Sequence, residues 1–411
     1  MKKFFALFFG IGVFFAVLAD NIPEYVQKWQ ENARKGNALA QYLLGNVYAT
    51  GGKSIPKDEK EAVKWYRKSA EQGESQAQYA LGLCYLEGRG IEKNLVEAVK
   101  WFRKAAEKGD AIAQEKVANC YLNGWGIEKN PSEAFKWYRK SAENDGSPTM
   151  QTIVGDFYCY GIGIERNPVE AVKWYRKAAA RNLPMAEHRL GLCYMRGIGV
   201  EQNFVEAIKW FRKPAEWGLA EAQVDLGTCY CDGSGVEKNP TEGVKWFRKA
   251  AKQGSVDALF HLGMCCVVGA GVEKNFAEAV RLYRIAAEHG HPRAQYELGV
   301  CHMQGEGVEK NLVEAVKWFH KAAEQGHVGA QYNLGACYAR GEGVKKNYAE
   351  ASKWFRRAAE RGHADAQYLL GLHYLGGIGV EKNQVEGVKW VRAAAAQGHK
   401  EGQNLLKEKG F

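Results

Sequence analysis

The chain has 411 residues, with 57 Lys and Arg against 47 Asp and Glu and a formal net charge of +10. The basic excess comes from repeated Lys-Trp-x-Arg-Lys segments with acidic residues interspersed, which argues against a nucleic-acid partner. The ten cysteines include no Cys-x-x-Cys pair, so we expect no metal site of the structural zinc type.

The first 19 residues combine a basic start at Lys2 and Lys3, an apolar run over residues 4–17 and a small-residue end at Ala19. This pattern predicts a cleaved signal peptide at residues 1–19, because the apolar run is shorter than the roughly 20 residues that a membrane span needs. We therefore predict an exported protein, periplasmic or secreted. A retained N-terminal anchor is the alternative.

Beyond this segment, tryptophan preceded by lysine recurs every 36 residues. With Leu282 taken as a missing member, only the interval from Trp137 to Trp174 differs, at 37 residues. A fixed period of this length predicts an all-α solenoid of stacked helix-turn-helix units, and it favours a binding surface over enzyme chemistry.

The period also predicts where the array begins and ends. Trp29 lies 36 residues before Trp65, so residues 20–36 are predicted to form an N-terminal capping helix. Ten tandem repeats follow at residues 37–399. Residues 400–411 are predicted to form a C-terminal capping helix, in which Lys407 replaces the glycine of the repeat.

One unit, AQYALGLCYLEGRGIEKNLVEAVKWFRKAAEKG at residues 77–109, contains two amphipathic patterns, helix A and helix B. Helix A ends at a Gly-x-Gly pair, here Gly88 and Gly90, because a left-handed residue ends a helix. Helix B begins with Asn94 and has Glu97 three residues later, which predicts a capping box. Gly82 in mid-helix is expected to admit the bulky Trp or Tyr of a neighbouring helix, with tryptophan as the buried side chain of helix B.

Together these motifs resemble the Sel-1-like repeat, a relative of the tetratricopeptide repeat with a longer loop. The resemblance implies a right-handed superhelix of about ten helical hairpins that acts as a scaffold for other proteins. It implies no cofactor and no catalytic residue. A cysteine-rich secreted subgroup is linked to penicillin binding and β-lactam hydrolysis. A secreted β-lactamase-like or peptidoglycan-interacting hydrolase is therefore the alternative function.

A possible catalytic motif for that alternative is weak. Residues 54–57 have the Ser-x-x-Lys spacing of penicillin-interacting enzymes, beginning at Ser54. The motif lies in a loop beside Pro56, and its companion motifs do not occur in the chain. We interpret it as a chance match.

Cysteine and histidine each recur in one register. Seven cysteines precede the tyrosine position of helix A, where we interpret them as small packing residues. The best disulfide candidates are Cys159–Cys193 and Cys231–Cys265, which share a relative register. Four histidines follow the glycine that closes helix B, and we interpret them as helix-entry residues: His291, His327, His363 and His399.

Some repeats depart from the pattern. Repeat seven has Leu282 for Trp and Cys266 for Tyr, repeat eight has His302 at that Tyr position, and an insertion precedes repeat four. We expect local irregularity near residues 144–150 and 264–303.

By analogy with tetratricopeptide arrays, helices A should line a concave face that binds another protein or peptide as a helix or extended segment. The alternative is that its apolar members only pack between adjacent helices. The basic outer face of helices B predicts at most a weak membrane contact, and we expect a monomer. The predicted partner-binding residues are Leu83, Glu87, Arg189, Leu192, Met195, Arg196, Asp225, His261, Met264, Glu297, Val300, Met303, Arg340 and Leu372.

Overall fold

The computed structural model describes residues 22–52, 55–144 and 146–410, and across these ranges it contains 22 α-helices and no strand. The predicted signal peptide and Ser54 lie outside the described residues. The chain divides into two compact units, one ending at Asn203 and the other beginning at Phe204. Across the described residues, no helix has both the length and the apolar character that crossing a membrane requires.

Unit 1 consists of successive helices in which each packs against the next along the chain. Even-numbered helices correspond to helix A and odd-numbered ones to helix B. The helices are α1 (Glu24–Arg34), α2 (Ala38–Thr50), α3 (Glu59–Glu71), α4 (Ser75–Glu87), α5 (Leu95–Glu107), α6 (Ala111–Asn123), α7 (Pro131–Asn144), α8 (Pro148–Tyr160), α9 (Pro168–Ala179) and α10 (Pro184–Arg196).

Unit 2 follows the same alternation and ends on an unpaired helix A. Its helices are α11 (Phe204–Glu216), α12 (Ala220–Asp232), α13 (Pro240–Lys252), α14 (Val256–Val268), α15 (Phe276–Glu288), α16 (Pro292–Gln304), α17 (Leu312–Glu324), α18 (Val328–Arg340), α19 (Tyr348–Glu360), α20 (Ala364–Gly376), α21 (Gln384–Ala396) and α22 (Lys400–Lys409). The terminal helices α1 and α22 lie within the predicted capping segments.

The mid-helix glycine of helix A faces an aromatic ring of helix B in the same repeat. A Cβ added at Gly82 would lie 2.6 Å from the ring of Phe102, and one at Gly335 would lie 2.7 Å from the ring of Phe355. Both rings are fully buried. The ring belongs to the residue after tryptophan, so the expectation of tryptophan at this position is wrong, whereas the expectation of tyrosine is correct in some repeats, as at Gly155, which faces Tyr175. A side chain at the glycine would push the two helices apart.

Tryptophan packs instead toward the preceding repeat. Trp174 of α9 belongs to a core built from α5 to α8, and Trp354 of α19 belongs to the core of α17 and α18. A cation three residues later covers the indole; for example, Lys177 Nζ lies 4.5 Å from the ring centroid of Trp174. The lysine before tryptophan is exposed, as expected, and Lys173 pairs with Glu170 at 2.8 Å.

The second glycine of each Gly-x-Gly pair is a contact between repeats. At Gly343, with φ +71°, an added Cβ would overlap the carbonyl group of Leu312, the first residue of helix B one repeat earlier. Backbone cannot give way as a flexible side chain can, so only glycine fits this approach. The sequence predicted the left-handed conformation but not the contact.

The asparagine caps of helix B are confirmed, but the capping box is wrong. The side chain of Asn94 accepts a hydrogen bond from the backbone N–H of Glu97 at 3.0 Å. The Glu97 carboxylate does not return to the cap and instead pairs with Lys100 at 2.5 Å. The cap N–H donates to the carbonyl of Tyr85 in helix A at 2.9 Å, which ties the loop to the helix before it.

In several repeats a glutamine near the start of helix A forms a hydrogen bond to the preceding repeat. This role was not predicted from the sequence. Gln331 Nε2 donates to the carbonyl of Ala323, at the end of the preceding helix B, at 3.1 Å. In the neighbouring repeat Gln325 Nε2 donates to Gln295 Oε1 at 2.8 Å, and Gln295 donates in turn to the carbonyl of Ala287 at 3.0 Å. These buried amides give a second hydrogen bond to carbonyls at the end of helix B, since the N–H of Gly326 already donates to Ala323 and that of Gly290 to Ala287, each at 3.0 Å.

The expected irregularity near residues 264–303 is wrong at the level of the helices. Helices α14, α15 and α16 each have 13 residues and the same caps as their counterparts. Near residues 144–150, α7 extends to 14 residues before the chain continues into α8.

We predict that Gly343→Ala lowers the urea midpoint of unfolding much more than Gly362→Ala. Both residues have positive φ, but nothing lies within 4 Å of a Cβ at Gly362, whereas one at Gly343 meets backbone. In both variants alanine must adopt the left-handed backbone conformation, which lowers the stability of the folded state. In Gly343→Ala, overpacking against the backbone lowers that stability by roughly a further 1–3 kcal/mol. Equal midpoints for the two variants would show that the inter-repeat approach is not a constraint.

Candidate binding surface on helices A

None of the fourteen predicted partner-binding residues is fully buried. Glu87, Arg196, Met264 and Arg340 are exposed, and the others are partly buried. Six of the fourteen lie in unit 1 and eight in unit 2, so each unit is described by itself.

In unit 1, Leu83 lines a cavity of about 220 Å³ between α2 and α4. Its wall is mainly apolar and aromatic, with Tyr42 and Tyr79 beside Leu83, while Glu59 and Arg89 supply charge. Burial raises the pKa of Tyr79 to about 12, so its phenol stays protonated at neutral pH. Sequence reasoning missed the two tyrosines, although both occur three residues before the mid-helix glycine of their repeat.

The other predicted residues of unit 1 do not line this cavity. Arg189 pairs with Asp156 at 3.2 Å, and Asp156 also accepts a hydrogen bond from Tyr175 at 2.7 Å. Arg189 is therefore committed to a contact within the protein. Leu192 and Met195 lie on the same helix, α10, half-buried, with Arg196 exposed beside them.

In unit 2, a polar cavity of about 490 Å³ contains two predicted residues, Asp225 of α12 and His261 of α14. Sequence reasoning missed the rest of its wall. Asp257 and Arg293 occupy one register, six residues before the mid-helix glycine, with opposite charges. The complete lining is Val224, Asp225, Asp257, Phe260, His261, His291, Pro292, Arg293, Gln325, Gly326 and His327.

Stacked rings hold the histidines of this cavity. His261 stacks on Phe247 with centroids 5.0 Å apart, and His291 stacks on Phe260 at 4.8 Å. The Nε2 atom of His291 lies 3.0 Å from Asp257 Oδ1. The wall therefore offers flat apolar faces together with fixed acceptors and donors, which suits a peptide with mixed side chains.

The helix-entry role of the four histidines is confirmed. Nδ1 of His327 accepts the N–H of Ala330 at 3.2 Å, and the ring stacks on Tyr296 with centroids 4.5 Å apart. Desolvation, aided by the charges of Arg293 and Arg361, lowers the pKa of His327. The neutral ring is the form that can accept at the cap, so burial and capping favour the same state.

The remaining predicted residues of unit 2 lie outside that cavity. Val300 and Met303 pack against the core of α17 and α18, which supports the packing alternative for these two side chains. Burial raises the pKa of the half-buried Glu297. Met264 is 44% exposed, whereas Leu372 is half-buried, and Arg340 lies 3.9 Å from Glu342.

All ten cysteines are free thiols in the structure, including both proposed disulfide pairs. Cys231 and Cys265 share a hydrogen bond, which lowers the pKa of the half-buried Cys231. Burial raises the pKa of Cys84 and of Cys120 to about 11, as expected for packing residues. Within residues 22–52, 55–144 and 146–410, no three His, Cys, Asp or Glu side chains are grouped as metal ligands.

An array of paired helices with fixed inter-repeat contacts defines a tetratricopeptide-like helical repeat protein. The Sel1 repeat family model matches residues 38–74, 75–110, 111–146, 148–183, 184–216, 220–255, 256–291, 292–327, 328–363 and 364–399. The chain therefore belongs to the Sel1 repeat family, which confirms the resemblance found in the sequence.

Two solved structures are similar over most of the chain. A protective antigen present in uropathogenic Escherichia coli strains, with the Sel1-like repeat fold, is 34% identical with a TM-score of 0.61, covering 93% of this chain and 90% of its own. A Sel1 repeat protein from Oxalobacter formigenes is 34% identical with a TM-score of 0.63, covering 75% of this chain and 90% of its own. No curated protein of known function matches the chain.

We predict that acid destabilises the protein partly through His327. Since its folded pKa lies below the ordinary 6.5, this contribution is complete above pH 6.5 and is lost as the pH falls below it. His327→Asn keeps a capping acceptor that does not titrate, as Asn37 does at α2. The variant should lose less of its urea midpoint between pH 7.5 and pH 5.5 than the wild type.

The reciprocal change provides the control. Asp110 caps α6 at the equivalent position, accepting from Ala113 at 2.8 Å. Asp110→His should increase the loss of stability in acid. If the urea midpoint of both variants depends on pH as that of the wild type does, the histidine caps do not cause the loss of stability in acid.

Proposed function

We propose that this chain is an exported scaffold that binds another protein or peptide through the helix A surface. Sel1 and tetratricopeptide-like repeats generally bind other proteins, and their fold is typically a non-enzymatic scaffold. The observation that supports the proposal is the cavity of unit 2, which has a volume of about 490 Å³ and is lined by Asp225, His261 and Arg293 among others.

The chemistry of this cavity suits a peptide. Carboxylates of Asp225 and Asp257 accept hydrogen bonds from amides or basic side chains, and Arg293 offers donors to a carboxylate or a backbone carbonyl. The stacked histidine and phenylalanine rings give apolar contact at low entropic cost, because they are already held in place. Unit 1 adds an apolar cavity at Leu83, sized for a single side chain.

Export rests on the pattern of residues 1–19 and on one relative. The similar Escherichia coli protein is described as a protective antigen, and a protective antigen must be reachable by antibodies or immune cells. We propose that the present chain is likewise directed out of the cytoplasm, to the periplasm or beyond.

We predict that a photo-crosslinking amino acid at Met264 traps a discrete partner in cells. Met264 is 44% exposed on helix A, while Val313, on helix B of the same unit, is 53% exposed and serves as the matched control. The adduct at position 264 should weaken when Arg293 is changed to Glu, because that change replaces the one Lys or Arg side chain of the neighbouring cavity by a third carboxylate. Equal adducts at both positions would contradict a helix A surface specific for the partner.

We predict that the chain isolated from its native host begins at Asp20. Signal peptidase cleavage after Ala19 removes Lys2 and Lys3 and leaves a mature net charge of +8, since +10 − 2 = +8. Intact mass spectrometry measures the N-terminus directly. A native protein that retains residues 1–19 would favour the membrane-anchor alternative.

The hydrolase alternative gains no support from the comparisons. Neither similar structure is described as a hydrolase. The residues of the helix A cavities are held by caps and stacked rings rather than arranged as a nucleophile with an adjacent base.

A further inference from the structure

Repeat seven lacks two aromatic side chains that shape its neighbours. Leu282 replaces the tryptophan of helix B, and Cys266 replaces the tyrosine near the end of helix A. Ile285 replaces the cation that covers the indole in most repeats, such as Lys249 over Trp246 at 3.7 Å. Repeat seven, in unit 2, therefore lacks the indole, the cation that covers it and the tyrosine phenol of the other repeats.

A cavity of about 500 Å³ lies where these groups are lost. Leu282 and Cys266 both belong to its wall, and they are only 6% and 7% exposed. Leu259, Leu262 and Val272 complete an apolar floor. The helices around it keep their regular lengths, so the missing ring volume is left open rather than closed by collapse.

The same surface in unit 1 shows what the aromatic residues normally do. A groove of about 420 Å³ lies between α5 and α7, with Trp137 in its wall and no helix A residue among those that line it. In repeat seven the corresponding groove between α13 and α15 reaches down to three residues of helix A, Leu259, Leu262 and Cys266. The groove of repeat seven, where leucine replaces the indole, is therefore lined by helix A residues that the groove of unit 1 does not reach.

The loss of tyrosine also leaves an arginine without its usual acceptor. In other repeats the arginine two residues after tryptophan donates to the tyrosine hydroxyl of the next helix A, as Arg67 does to Tyr85 and Arg176 does to Tyr194, each at 2.9 Å. Arg248 occupies this position before Cys266 and lines the cavity. Among the described residues, Arg248 has no hydrogen-bond or ion-pair partner.

The geometry points to a binding site in this cavity for an aromatic ring that carries an oxygen acceptor, such as a phenol. The ring would occupy the volume left by Trp and Tyr against Leu259, Leu262 and Leu282. Its oxygen would accept a hydrogen bond from Arg248, as the tyrosine hydroxyl does elsewhere. Apolar residues form the floor of this cavity and charged residues surround it, and an apolar surface with a few placed polar groups is typical of small-ligand sites.

Charge at the mouth of the cavity favours a partly anionic ligand. Arg281 is already held by Glu278 at 2.6 Å, which leaves the exposed Arg248 and Lys252 against the single carboxylate of Glu273, an excess of one positive charge. A hydrogen bond between a guanidinium and an oxygen is stronger when the oxygen carries negative charge. The site lies on the helix B side of unit 2, so it does not depend on the proposed function of helices A.

The test measures binding of p-cresol and toluene to the full mature chain by ligand-observed NMR. The two probes share one ring and differ by the hydroxyl group. Wild-type protein should bind both and prefer p-cresol, and Arg248→Gln should remove most of that preference while still binding toluene. Loss of a hydrogen bond to a charged donor corresponds to about tenfold in affinity.

Variants that restore the missing aromatic side chains fill the cavity and provide the decisive test. Leu282→Trp, alone and together with Cys266→Tyr, should weaken binding of both probes by about tenfold or more and raise the unfolding temperature, since it restores a buried ring. The higher unfolding temperature shows that the variant is folded. Undiminished binding to the refilled variant, or no binding to the wild type at millimolar probe, would overturn the inference.

Two further probes distinguish whether the bound aromatic ring belongs to a partner protein or to a free small molecule. N-acetyltyrosinamide represents a tyrosine side chain of a partner protein, and 4-hydroxybenzoate represents a free aromatic acid. Binding of N-acetyltyrosinamide that is lost in Leu282→Trp would assign the site to a partner side chain. Binding of 4-hydroxybenzoate alone would assign it to a small molecule.

Discussion

The close approach of backbone to backbone at the second glycine of each Gly-x-Gly pair is the constraint on which both units depend. Gly90, Gly126 and Gly343 lie against the first residue of helix B one repeat earlier, where no side chain fits. This contact fixes how far one repeat lies from the next. The glutamine bonds, the tryptophan packing and the cap-to-helix bonds all require that distance, so they are consequences of it.

The aromatic residues of helix B have two structural roles in each repeat. The ring after tryptophan holds helix A to helix B, as Phe102 does over Gly82, while tryptophan holds its repeat to the one before it. Because a single repeat cannot bury both rings, stability arises only from the stack. Met264 and Arg293 take part in none of these contacts, and the proposed binding surface is built from such positions.

The repeat period and the residues that cap the helices could be predicted from the sequence. Which side chains of a helix pack against which neighbouring helix could not. Asn94 and His327 were predicted correctly, because capping depends on residues three positions apart. The partner of Gly82 was misassigned to tryptophan, since neighbouring residues in one helix point in different directions and only the fold shows which faces inward. The cavity of unit 2 combines Asp225 of α12, Asp257 and His261 of α14 and Arg293 of α16, and from one of these helices to the next the residues are at least 32 positions apart in the chain.

The histidine caps differ from the other features because they are unevenly distributed. They begin α16, α18, α20 and α22, while the caps of α2 and α6 are Asn37 and Asp110. In a linear array each repeat is supported by its neighbours alone, so unfolding can start locally. Burial lowers the pKa of His291, His327 and His363, so acidification would weaken the caps of α16, α18 and α20 in unit 2, and the repeats that carry them would loosen before those without a histidine cap.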